Sequence, residues 1–409
     1  MSESGSASAQ QGTHLLARFR RVTTSGSFIG EIDGLRFVAI FVVVLFHLAV
    51  GLSIKAPESY ARPAHGWLAA VAWNGFRGVE LFFVISGFIL ALPFAAHFLS
   101  GGPRVGLKQY FLRRVTRLEP PYVLCMLLLF ALQVGVRGRS GRALWPHLAA
   151  SLGYLHNLVY ASESPINNVA WSLEVEIQFY LLAPLLAVLF AIRGKRLRRA
   201  TLVALCAAST AFAWQFLHPG QRAFLSLARF LHFFLIGFLL ADVYLTDWAQ
   251  KPARSLRWDL VSLVGWPMLF LAWSSSALPV PGLAPATEPA LTAFLFPVAV
   301  FFLYCAAFRG ELTNRVFNNR WISTVGGMCY TIYLLHNPAL GIILAQTRGL
   351  SPSGSYAANL LLQLVVVTPL LLLPCALFFL WVEKPCMRRD WPRRLLGRMA
   401  ALPPSPETR

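Results

Sequence analysis

Arg36 and His47 stand eleven residues apart with only apolar residues between them. Eleven steps of 100° return to within about 20° of the starting direction, so on a helix the two side chains share one face, about 16 Å apart along the axis. Ionisable groups at such depth are costly in hydrocarbon and normally face a bundle interior or a water-filled cavity. The competing structural reading is a snorkelling arginine and a packed histidine. A histidine takes a proton from an alcohol near neutral pH, and a carboxylate beside it would fix its tautomer and steady the imidazolium. Glu80, Glu174, Glu176 and His336 are expected at a depth similar to that of His47, which together is what acyl transfer to a hydroxyl requires. Either glutamate of the 174/176 pair also reads as an interfacial residue in water. At the other end, Arg113, Arg114 and Arg117 follow Lys108, and Arg114 and Arg117 are helical neighbours. Guanidinium forks suit phosphate oxygens, although an orientation signal would look the same. The histidines and acids have no tight ligand spacing, so no metal is expected. Asp242, Arg229 and His232, within one apolar run, read as structural.

These groups need a scaffold, and composition says which. Of 409 residues 56% are hydrophobic and 13% charged, against roughly a quarter charged in a soluble domain. Apolar runs near the roughly 20 residues that cross a bilayer fall at 35–52, 79–97, 118–136, 171–192, 200–217, 223–245, 258–277, 289–308, 321–346 and 356–382. The stretch 143–160 is interrupted by His147, Gly153, His156 and Asn157. With ten spans and the N-terminus inside, the cytoplasmic segments hold 26 of the 36 Lys and Arg residues. An eleventh span at 143–160 would put the basic run Arg193 to Arg199 outside, against the positive-inside bias. Ten spans with both termini cytoplasmic is the expectation, and Arg137, Arg139 and Arg142 are its misfit, left on the outer side as a surface for an anionic partner. The net charge of +19 sits in short clusters between apolar runs, which excludes nucleic acid as the partner. Cys125, Cys206, Cys305, Cys329 and Cys375 lie in apolar runs and Cys386 just beyond, as small core residues do. Residues 1–30 read as a disordered cytoplasmic leader, 31–385 as one transmembrane domain and 386–409 as a basic cytoplasmic tail, with no room after Glu383 for a second folded domain.

Three segments, Ile32-Asp33-Gly34-Leu35-Arg36 through His47, Phe76-Arg77-Gly78-Val79-Glu80 through Phe88, and Arg113-Arg114-Val115-Thr116-Arg117, resemble motifs of the acyltransferase family 3 membrane enzymes. Trp171-Ser172-Leu173-Glu174-Val175-Glu176 through Tyr180 and Tyr330-Thr331-Ile332-Tyr333-Leu334-Leu335-His336-Asn337 resemble two more, in the same order along the chain. The resemblance runs from about residue 31 to 385. It implies a bacterial cytoplasmic-membrane enzyme that acylates, usually acetylates, hydroxyls of envelope or secreted glycans, with acyl-CoA as a cytoplasmic donor. Carried over by motif, it marks Arg36, Arg114 and Arg117 as donor-binding, and His47, Glu80, Glu176 and His336 as catalytic. Glu119, before Pro120-Pro121, departs from the apolar residue common in relatives, and no extracytoplasmic hydrolase-like domain follows.

The expected architecture is therefore an all-α transmembrane bundle with a polar cleft lined by the first, second, fourth and ninth spans. His47 is the expected base, oriented by Glu80 or Glu176, with His336 a second candidate or an oxyanion partner. The rival is a proton-coupled transporter, since buried His and Glu also serve proton relays. No inverted repeat and no matching Gly/Pro-broken helices are evident in the sequence. A non-enzymatic membrane scaffold is the second rival.

Overall fold

The computed structural model describes residues 28–61, 66–271 and 287–388, with Phe19 and Trp391. The expected leader and tail lie almost wholly outside the described residues. All regular elements among the described residues are helical. The long ones are α1 (Gly30–Lys55), α2 (Gly78–Ser100), α3 (Leu107–Gly135), α4 (Gly141–Leu152), α5 (Trp171–Leu186), α6 (Lys195–Phe216), α7 (Leu227–Thr246), α8 (Leu256–Leu271), α9 (Thr287–Arg309), α10 (Cys329–Thr347) and α11 (Tyr356–Phe378).

Six of the described helical stretches are long and apolar enough to cross a membrane, and eight if each of two bent pairs counts as one. The chain is a multi-pass membrane protein. The expected spans at 200–217 and 258–277 are not in that set. The first is part of α6, whose opening turns carry Lys195, Arg196, Arg198 and Arg199. The second is described only through Leu271, and its remainder lies outside the described residues.

The expected continuous span 321–346 is corrected. Arg320–Gly327 and α10 meet at a 71° bend. Gly326 lies so close to the Asp33 backbone of α1 that a β-carbon there would overlap it, so the short helix must turn aside from the line of α10. The same device joins α2 to α7: Gly87 sits on the Phe234 backbone and Gly237 on the backbone of Val84 and Phe88. Small residues let helices approach to backbone contact, which is how dispersion holds them together in a membrane. Between α6 and α7, Asp242 is fully buried and ion-paired to both Arg198 and Arg199, a structural role as expected for this residue. Arg199 also donates to Asp247 beyond the end of α7 and holds that carboxyl well below the usual carboxylate range.

The stretch 143–160 forms two helices of 12 and 5 residues, Gly141–Leu152 and His156–Tyr160, neither long enough to cross. It is not a surface loop either. The Tyr154 ring stacks on Tyr122 at 4.8 Å, and Tyr122 donates to the Ser151 carbonyl at 2.8 Å. Tyr122 lies thirteen residues before the end of α3 at Gly135, about 20 Å down the helix. The segment thus dips beside α3 and returns. Polar side chains make the dip tolerable: Tyr154 donates to Glu119 at 3.1 Å, and Ser151 to Ser164 at 2.8 Å. Asn157 bonds Glu174 through its backbone N–H and the Trp171 and Leu225 carbonyls through its side chain. Glu119, unusual by its type in the sequence, is the partner that receives the dip. Glu174 is an anchor for it.

Candidate active site

The helix that carries the arginine cluster begins at Leu107, eleven residues before the expected apolar run. Leu, Lys, Gln and Arg are good helix formers, so the helix continues through the charges and fixes Arg113, Arg114 and Arg117 on its early turns. Pro120 removes the donor that would have met the Thr116 carbonyl, and the Trp391 indole N–H takes that carbonyl at 2.9 Å. Arg114 lies over the Tyr110 ring, 3.6 Å from its centroid, with Tyr180 at 5.3 Å, and donates to the Tyr110 carbonyl at 2.7 Å. These are the contacts that pin a cation without neutralising it. Arg36, on the second turn of α1, is tied to Asp33 at 2.8 Å.

Arg36, Arg113, Arg114 and Arg117 line one cavity of about 750 Å³. Glu176 lines it too, accepting hydrogen bonds from Ser86 Oγ at 2.5 Å and Tyr180 OH at 2.6 Å. Its expected place beside His47 is corrected: Tyr180 is one turn further on the same face of α5, and the pair turns towards the arginine-lined end. Glu80 is elsewhere again. It pairs with Arg77 at 3.3 Å, an i,i+3 contact at the start of α2, and Arg77 lies 4.4 Å from the Phe296 ring. Among the described residues neither carboxylate hydrogen bonds to His47.

What does meet His47 is His336. Their ring centroids are 5.0 Å apart at 60°. His336 is fully buried. Its Nδ1 stands 2.7 Å from the Tyr333 carbonyl and 3.1 Å from that of Ile332. Carbonyls only accept, so Nδ1 carries the proton and Nε2 the lone pair. Nε2 is buried with no hydrogen-bond partner among the described residues. Tyr333 joins the two regions. It lines the arginine cavity, its ring lies 5.7 Å from that of His336, and its hydroxyl bonds Ser172 at 2.6 Å and the Val169 carbonyl at 3.0 Å. Tyr333 is thus a cavity-lining residue whose ring also packs near His336.

Sequence reasoning placed Arg36, Arg114 and Arg117 together, and the structure has them on one cavity. It did not single out Tyr110, Tyr333 or Glu383, which line the same space. Tyr333 lay inside a quoted motif, whereas Glu383, a lone acid at the end of an apolar run, entered only as the point after which the tail begins.

The family model described as an acyltransferase domain matches residues 29–381. The peptidoglycan O-acetyltransferase OatA of Listeria monocytogenes is 28% identical over 182 residues, 42% of this chain and 26% of that protein. The Bacillus subtilis protein named "Putative peptidoglycan O-acetyltransferase YrhL" is 27% identical over 341 residues, 76% of this chain and 49% of its own length. The chain thus spans about half, or less, of the length of these curated relatives. No solved structure matches it. With its family model covering the helices that build both the arginine cavity and the histidine pair, the chain belongs to acyltransferase family 3.

Proposed function

We propose that the chain is an integral-membrane O-acyltransferase that moves an acyl group, acetyl in the simplest case, from cytoplasmic acyl-CoA to a hydroxyl of an extracytoplasmic glycan. The observation that carries the reading is one cavity lined by Arg36, Arg114 and Arg117 together with Tyr333, whose ring also lies 5.7 Å from that of His336 in the histidine pair. Arg36, Arg114 and Arg117 hold the donor's phosphates on the cytoplasmic side, and its thin arm reaches along α1 towards His47. Ten spans with cytoplasmic termini, in the bacterial cytoplasmic membrane, remain the topology proposed with this reading.

His47 is partly exposed whereas His336 is fully buried, so His47 is the base that an acceptor hydroxyl reaches. The hydroxyl oxygen bonds to the thioester carbonyl carbon as its proton passes to His47. The carbon–sulfur bond then breaks, and the thiolate leaves as the thiol by taking that proton. His336, through its free Nε2, fills the orienting role expected of a carboxylate. Glu80 and Glu176 act at a distance, Glu176 by balancing charge in the donor cavity and Glu80 through its pair with Arg77. Peptidoglycan is the acceptor class suggested by the relatives' names.

The test uses purified protein in lipid discs with acetyl-CoA and soluble peptidoglycan fragments. Thiol release and ester formation that depend on both are expected; neither appearing would overturn the reading. The transporter rival gains one observation, the helix broken at residues 327–329. Acetyl-CoA turnover by purified protein separates the two.

A further inference from the structure

Glu383 closes the π-helical turn Phe379–Glu383 that ends α11. Such turns add a residue to a helix and recur at functional sites, because they redirect the side chain that follows. Glu383 is 1% exposed and faces the arginine cavity. Its Oε2 accepts two hydrogen bonds from Thr331, from the backbone N–H at 3.1 Å and the hydroxyl at 2.5 Å. Oε1 is buried and has no partner among the described residues. Leaving a buried carboxylate oxygen without a hydrogen bond is costly; Arg117 and Arg36 are close enough to balance its charge, but Arg117 Nε, on the same cavity, is buried and without a hydrogen-bond partner among the described residues too. A donor and an acceptor therefore wait on one cavity for groups of the opposite kind.

Depth decides which group meets Glu383. Thr331, its anchor, precedes His336 by five residues on α10, about 8 Å along the axis. With a thioester carbonyl at the histidines, the extended pantetheine arm of coenzyme A places its two amide nitrogens roughly 5 and 10 Å back towards the arginines. We infer that Glu383 Oε1 is an amide-binding subsite, which accepts the N–H of a pantetheine amide and so sets how far the thioester advances towards His47 and His336. The inference rests on the acyl-CoA reading above. It makes Glu383 a donor-positioning residue, beside the charge it already shares with Arg117 and Arg36.

Glu383→Gln tests it with little change of shape. The Thr331 N–H needs an acceptor, so glutamine must turn its oxygen to Thr331 and present an NH₂ to the cavity, donor facing donor. The measurement is the affinity of the purified full chain for acetyl-CoA and for two acetyl-CoA analogues, each with one pantetheine amide N–H replaced by an ester oxygen. Wild type is expected to bind one of the analogues at least tenfold more weakly than acetyl-CoA, the size of a lost hydrogen bond to a charged group. Glu383→Gln is expected to lose about the same factor with acetyl-CoA and no further with that analogue, the signature of a shared contact. If wild type binds both analogues like acetyl-CoA, or if Glu383→Gln binds acetyl-CoA like wild type, the subsite is overturned. Should the variant fail to fold, the analogue comparison on wild type alone decides. No binding of acetyl-CoA by wild type would sink the donor reading and the subsite with it, an outcome distinct from loss of selectivity alone.

Discussion

His336 spends its Nδ1 proton on two backbone carbonyls, its Nε2 has no hydrogen-bond partner among the described residues, and its ring meets that of His47, so in the proposed mechanism the two imidazoles act as a unit. With His47 as the proposed base, His47→Ala is expected to lower turnover by 10²–10⁴-fold with acetyl-CoA affinity unchanged. His336→Ala is expected to lower it less, because the base remains and loses only its orientation. Turnover numbers at saturating donor check both, and the roles exchange if His47→Ala keeps more than about a tenth of the wild-type rate. Arg114 is proposed to bind the donor instead. A contact remote from the reacting carbonyl binds ground and transition states alike. Arg114→Ala should therefore raise the donor KM by one to two orders of magnitude, given about 1.5–3 kcal/mol for a charge-assisted hydrogen bond, and leave kcat nearly alone. Arg114→Lys should fall between, having lost the planar fork but not the charge. Equal acetyl-CoA affinity across the three proteins would remove Arg114 from the donor site.

The helices differ in what holds them. α2 and α7 meet through Gly87 and Gly237, each against the other's backbone, and aromatic packing of Phe83 on Phe234 continues the seam at 4.8 Å. A methyl group on Gly237 has nowhere to go, because backbone atoms cannot swing aside as a side chain can. Gly237→Ala is expected to cost about 1–3 kcal/mol as an overpacking change, read as a lower unfolding midpoint in detergent. A variant as stable as wild type would show that the two helices are not in backbone contact. The same logic accounts for the bend before α10. Gly326 against Asp33 brings the short helix to the base of α1, where Asp33 pairs with Arg36 on the cavity wall.

Across the whole molecule, the dip at 141–160 decides how the chain is threaded. Gly138, Ser162 and Gly194 are all exposed. If the dip enters and leaves on one side, cysteines placed at Gly138 and Ser162 react with an impermeant thiol reagent on intact cells, and one at Gly194 reacts only after permeabilisation. Labelling of Ser162 on the side opposite to Gly138 would make the segment a crossing and invert everything after it. The six native cysteines are buried or half-buried, so background labelling should be low.

Local rules made part of this protein legible in its sequence. Apolar run length announced membrane helices, since hydrocarbon leaves a chain few ways to satisfy its backbone. The eleven-residue interval from Arg36 to His47 put a cation and a base on one helix face, and the spacing of Arg114 and Arg117 made them neighbours, because helical geometry turns intervals along the chain into directions in space. Depth along a helix is legible in that way; partnership between helices is not. Glu176 was expected beside His47 because both fall at a similar depth, yet which way α5 faces depends on Ser86 of α2 and on Tyr180 one turn along. The dip of 141–160 hangs on Tyr122 stacking with Tyr154 and on Glu119 meeting it, contacts more than thirty residues apart in the chain. The meeting of His47 with His336, and the Glu383 oxygen with no hydrogen-bond partner among the described residues, arise where α1, α10 and the end of α11 converge. Such contacts follow from how the helices pack together, which no single interval in the sequence encodes.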